Sequence, residues 1–167
     1  NTCYMFNHRP NSLNAGSLWG RPFYILREAW NILNAIAEGK IESGDEKKLN
    51  ALKGETMAVI ALCQFDLTRC FGYPYTKDKG ASLGAPLIDH LVGTYENPPR
   101  STVAQAYDFI IETLEEAVTL MSEEKNNGRM NKYAARALLA RVYLYHNDNR
   151  KAFDMAEQLI KDVDASG

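Results

Sequence analysis

Apolar residues recur at three-four spacing through most of the chain, the period of a helix that buries one face. From Trp19 to Glu38 the stripe is Phe23, Leu26, Ala29, Trp30, Leu33 and Ala37, and Gly39 follows as a stop. Ser43-Gly44-Asp45 opens a second helix running to about Phe71. Its middle, Thr56 to Leu62, is apolar nearly all round, which predicts burial between other helices. Gly54 inside it costs about 1 kcal/mol relative to Ala, and close helix contact is the usual compensation. Gly72 and Pro74 end the helix, with Gly72 expected in a left-handed turn.

The third helix has the cleanest pattern. Thr102 and Gln105 form a capping box. Val103, Ala106, Tyr107, Ile110, Ile111, Leu114, Ala117, Val118 and Met121 share a face, opposite Asp108, Glu112, Glu115 and Glu116. Asn126-Asn127-Gly128 predicts a turn, Asn131 caps a fourth helix ending near His146, and a fifth runs from about Arg150 to Val163. Its expected buried stripe is Ala152, Phe153, Ala156, Leu159, Ile160 and Val163. Residues 1–18, rich in Asn, Ser, Gly and Pro, predict an extended lead-in, and residues 19–167 one helical domain. Between Tyr73 and Arg100 lies a long connection; connections beyond about 12–15 residues usually bind something or are disordered.

The last two helices resemble a tetratricopeptide hairpin. Small residues stand where the axes approach and a large ring wedges the gap: Leu139-Ala140, Tyr143, Ala152 and Ala156. Arg136 replaces the signature's early Trp, and Leu159 its later Ala. The expected fold is all-α: irregular tetratricopeptide-like hairpins of about five main helices with one long loop insertion.

Composition narrows the function. At 167 residues the chain fits one domain or a piece of a larger one. Net charge is −2, so a basic nucleic-acid face is not implied. The three cysteines, Cys3, Cys63 and Cys70, are an odd count, which argues against a disulfide scaffold. Cys63 and Cys70, about 10 Å apart along a helix, are expected to be buried small apolar residues. His8, His90 and His146 are scattered, and no metal motif, phosphate loop or nucleophile elbow occurs, so no metal, cofactor or catalytic residue is expected. The glutamates from Glu112 to Glu124 read as a solvated face rather than a glycosidase pair. Arg69 and Arg141 read as arginines held by carboxylates or helix-end carbonyls. No segment has the roughly 20 apolar residues that cross a bilayer, and residues 1–17 lack the apolar middle of a signal peptide.

Aromatic rings at element ends or in the long connection are the candidates for sugar stacking: Trp19, Tyr73, Tyr75 and Tyr95, with Asn97 as a polar neighbour for hydroxyls. Trp30, Phe65, Tyr107, Tyr143 and Tyr145 fall in helical stripes and are expected in the core.

Four segments carry a family resemblance. Trp19, Tyr24 and Asn31 reproduce an early Trp, Tyr and Asn. GETMAVIALCQFDLTRCFGYPY supplies Gly54, Glu55, Phe65, Leu67, Arg69, Phe71, Gly72 and Pro74, with Ile60-Ala61 where Arg-Ala is common. PRSTVAQAYDFIIETLEEAVTLM follows, with Thr113 in place of an Asp, and then GRMNKYAARALLARVYLYHNDNRKAFDMAEQLI. In this order they resemble the SusD/RagB family of outer-membrane lipoproteins, over about Trp19 to Val163. The resemblance implies the N-terminal helical portion of a longer, non-catalytic glycan-binding subunit at the cell surface. Such a subunit hands oligosaccharides to a SusC-like TonB-dependent transporter and is held to the membrane through a lipid anchor not present in this chain; the fragment alone is expected to be soluble. The alternative from the hairpins alone is a scaffold that binds a peptide or protein in its groove.

Overall fold

The computed structural model describes residues 13–41, 44–125 and 128–165, with side chains from residue 16 onward. Five α-helices dominate: α1 (Leu13–Ala37), α2 (Glu46–Phe71), α3 (Val103–Leu120), α4 (Lys132–Tyr145) and α5 (Asn149–Ala165). The connection between α2 and α3 holds a short 3-10 turn at Tyr75–Lys77 and two short strands, β1 (Leu83–Pro86) and β2 (Arg100–Thr102). The strands pair antiparallel, Leu83 with Thr102 and Pro86 with Arg100.

Each helix packs on the next in chain order, the expected stack of hairpins. The main core lies among α2, α3 and α4, around Phe65, Ile110, Leu114, Leu139 and Val142. A second core joins α1, α2 and the connection through Leu26, Ile60, Leu67, Ala85 and Ile88. The apolar middle of α2 is buried from both sides, as its pattern requires. At Gly54 an added Cβ would stand 2.7 Å from Met121 Cγ and 2.9 Å from the Ala117 carbonyl, so the glycine sets how closely α2 and α3 approach. Glu55 next to it binds the Arg129 guanidinium and accepts the Met130 amide at 3.1 Å. Two residues from separate family-like segments thus tie α2 to the start of α4.

The helix ends follow local chemistry. Asp45 accepts the Lys47 and Lys48 amides, Thr102 and Gln105 close a reciprocal capping box, and the Asn131 side chain accepts the Ala134 amide. Asn147, at φ 69°, turns α4 into α5. Arg136 reaches Asp162 at 2.6 Å and links those two helices where a ring would otherwise stand.

Several expectations need correction. Helix α1 begins at Leu13, so residues 13–18 are helical rather than extended. Adding a turn to a formed helix outweighs the weak local preference of Asn, Gly and Ser. Gly72 is extended (φ −106°), not left-handed. Its need for glycine is steric: a Cβ there would lie 2.6 Å from the Thr68 carbonyl and 3.0 Å from Val103 Cγ2. On α5 only Ala152 is buried; Phe153 and Ile160 are exposed. α5 packs mainly against α4, and one main neighbour covers less than the whole stripe. Cys70 is exposed, being on the outer side of α2 near its end, whereas Cys63 is buried and its thiol is pushed up to about 11, chiefly by burial. Arg141 is exposed on the outside of α4. The lead-in of residues 1–12, with Cys3 and His8, lies outside the described residues, as do Ser43, Asn126 and Asn127.

Candidate functional site

The connection from α2 to α3 is built in two parts. Its inner part is pinned by a buried glutamine. Gln64, fully inside α2, donates from its amide to the Pro86 carbonyl at 3.1 Å and accepts the Ile88 amide at 3.3 Å. Trp30 of α1 donates to the Ile88 carbonyl at 3.2 Å. These bonds satisfy backbone groups that a buried loop would otherwise leave unpaired, and they let Ala85 and Ile88 enter the second core.

The outer part, residues 73–82, folds back on the start of α3. Val103 donates to the Ser82 carbonyl at 2.9 Å and Ala104 to the Gly80 carbonyl at 2.9 Å. Gly80 has φ +76°, and a Cβ there would lie 2.8 Å from the Tyr75 ring. Only glycine both adopts that backbone and leaves room for the ring.

With Tyr75 so placed, an open cavity of about 450 Å³ forms, lined by Arg69, Tyr73, Pro74, Tyr75, Thr76, Tyr107, Leu144 and Tyr145. The Tyr75 ring meets Tyr107 edge-on at 5.8 Å and His146 at 4.3 Å between centroids. Tyr145 meets Phe65 edge-on at 5.4 Å. Arg69 is bonded to Asp66 at 2.8 Å and lies over the Phe65 and Tyr145 rings, at 5.5 and 5.6 Å from their centroids. Tyr145 first, then Asp66, hold its guanidinium above the ordinary arginine value. Burial pushes the Tyr107 phenol up to about 12, so it remains a neutral wall. Tyr73 and Tyr145 are exposed. The arrangement offers ring faces to the apolar side of a sugar and hydroxyl and guanidinium donors to its oxygens.

The sequence candidates divide among three places. Tyr73 and Tyr75 meet in this cavity. Asn97 lines a second one of about 510 Å³, with Phe23, Arg27, Ile88, Val92 and Thr94 among its walls. Trp19 packs edge-on against Phe23 and Phe71, at 5.0 and 4.8 Å, remains exposed, and lines neither cavity. Tyr95 is 96% exposed at the tip of the connection and lines neither cavity. Tyr145, expected in the core, instead faces the Tyr73 cavity, although it shares a helix with buried Val142 and Tyr143. Its place beside Arg69 has no signature in local spacing. Trp30, Phe65, Tyr107 and Tyr143 are packed as expected.

Two of the four acidic residues of α3 are engaged structurally. Glu115 accepts the Tyr143 hydroxyl at 2.5 Å, and Glu116 pairs with Lys53 at 3.0 Å. Among the described residues no group of three or more His, Cys, Asp or Glu side chains is placed to hold a metal, and no helix is long and apolar enough to cross a membrane.

Residues 4–144 match the family described as starch-binding and associating with the outer membrane. The chain belongs to this SusD-like family. A SusD superfamily protein from Bacteroides vulgatus is 96% identical over all of the chain, with a TM-score of 0.94. One from Bacteroides thetaiotaomicron is 41% identical over 86% of it, with a TM-score of 0.83. A candidate sugar-binding protein from Bacteroides vulgatus is 38% identical over 99%, with a TM-score of 0.90. The chain spans only 38%, 31% and 37% of those three proteins' own lengths. No curated protein matches it.

Proposed function

We propose that this chain is the N-terminal helical part of a cell-surface protein that captures oligosaccharides without cleaving them. In this reading the whole protein is lipid-anchored at the outer membrane and delivers its sugar to a SusC-like TonB-dependent transporter. Family membership supports the glycan class, and the 38% identical candidate sugar-binding protein points the same way. The observation that carries the reading is the convergence of Tyr73, Tyr75 and Tyr145 with Arg69 on one open cavity. Three rings from a loop and a helix, with the Arg69 guanidinium beside them, match what an oligosaccharide requires: stacking area and hydrogen-bond donors at fixed distance.

Calorimetric titration of the full-length protein against a panel of oligosaccharides tests it. Binding of at least one sugar, weakened about tenfold or more by Tyr73→Ala or Tyr75→Ala, is the expected result; truncating a stacking ring typically removes 1–3 kcal/mol. Co-purification of a TonB-dependent transporter tests the delivery step, and release of new reducing ends on incubation would refute the non-catalytic role. Recovery of soluble peptides without any sugar binding would instead favour a peptide-binding scaffold.

A further inference from the structure

We propose that the tyrosine cavity prefers acidic sugars, those carrying a hexuronate carboxylate, over neutral ones; this rests on the cavity being the glycan contact. The decisive feature is Lys77, whose ammonium nitrogen lies 3.1 Å from the centroid of the Tyr73 ring. The cavity's most exposed ring therefore already carries a cation on one face. That cation is available. Lys77 is exposed and, among the described residues, has no carboxylate within ion-pair distance.

The surrounding charges lean the same way. Lys79 follows in the same loop, exposed and also without an ion-pair partner among the described residues. Asp78, between the two lysines, is engaged first by the Ser82 hydroxyl, which with loop amides and the nearby Lys77 charge holds its carboxyl below the usual range, yet it forms no ion pair with Lys77. Arg69 is the only one of the three cations whose charge is met by a paired carboxylate, that of Asp66. A neutral sugar would gain the rings and hydrogen bonds to its hydroxyls, but no charge pairing. A uronate would gain the rings and a charge-assisted bond to a lysine that, among the described residues, holds no ion pair. The Lys77 stem is flexible, so the ammonium can leave the ring face to meet a carboxylate.

The test is calorimetry on the full-length protein with tetragalacturonate and maltotetraose at low and high NaCl. The expected result is about tenfold tighter binding of tetragalacturonate at low salt, a gap that narrows as salt rises. Lys77→Met should abolish most of that gap while leaving maltotetraose affinity within about twofold, because it removes the charge and keeps the stem. Equal affinity for the two sugars, or a preference unchanged in Lys77→Met, overturns the proposal. Should Tyr73→Ala weaken maltotetraose while no acidic preference exists, the cavity remains the glycan site and only the charge selectivity falls. Should neither sugar bind, or neither respond to Tyr73→Ala, the acidic preference falls, and the panel titration with Tyr73→Ala decides the glycan reading by itself.

Discussion

The two parts of the α2–α3 connection differ in composition, the first carrying tyrosines and charges and the second mostly aliphatic residues, and they have opposite roles. Around residues 83–92 the chain sinks into the second core, and its carbonyls and amides are taken up by Gln64 and Trp30. Around residues 73–80 it stays at the surface, bonded to itself and to the first amides of α3, with its rings turned to a cavity. The difference lies in who satisfies the backbone. Where a buried side chain does so, the loop becomes scaffold; where the loop does so itself, its side chains are left for a ligand.

The largest effect should come from breaking the scaffold part. Gln64→Leu strands the Ile88 amide and the Pro86 carbonyl in an apolar setting and should destabilise the fold by about 2–4 kcal/mol. Urea unfolding measures it; a change under about 0.5 kcal/mol would mean the loop is not held this way. Next is Gly54→Ala. Helix propensity alone would favour it by about 1 kcal/mol, but the new methyl meets the Ala117 carbonyl and Met121. A net loss of about 1–2 kcal/mol is expected, since overpacking against backbone costs about 1–3 kcal/mol. Stabilisation would show that α2 and α3 are free to part.

Tyr73→Ala should sharpen the contrast from the other side. As an exposed ring it should change stability by less than about 0.5 kcal/mol, while oligosaccharide affinity falls about tenfold. Circular dichroism melts and calorimetry on the same variant separate the two.

The smallest effect is a pH dependence at exposed His90, just after pinned Ile88. His90 sits between Asp89 at 2.6 Å and Glu96 at 2.7 Å, and Asp89 first, then Glu96, raise its value above 6.5. A histidine raised by folding stabilises the folded state fully below its unfolded value and loses that contribution as pH rises through the folded one. The tip of the connection should therefore loosen on the alkaline side of the ordinary histidine range. An NMR titration of the His90 ring should give a midpoint above 6.5, and a midpoint at or below it would contradict the clamp.

The helices were legible because burial on one face leaves a 3.6-residue record in the chain. The capping box at Thr102–Gln105, the cap at Asn131 and the close approach at Gly54 were legible because each is a local steric or hydrogen-bonding requirement. What depends on a partner far along the chain was not. Gln64 looked like one polar residue in an apolar helix, and only the returning loop gives it two backbone partners. Phe153 and Ile160 carry a core pattern, yet no described element covers them. Within the candidate site, Tyr73 and Tyr75 were readable from their place beside Gly72 and Pro74. Tyr145 and Leu144 were not, because a helix pattern cannot say where its neighbour ends.

The most direct test of the central claim is a crystal structure of the full-length protein with a bound oligosaccharide from the titration panel. A sugar ring stacked within about 4 Å of Tyr73, Tyr75 or Tyr145 is the predicted result. A sugar bound elsewhere, with this cavity holding only solvent, would contradict it.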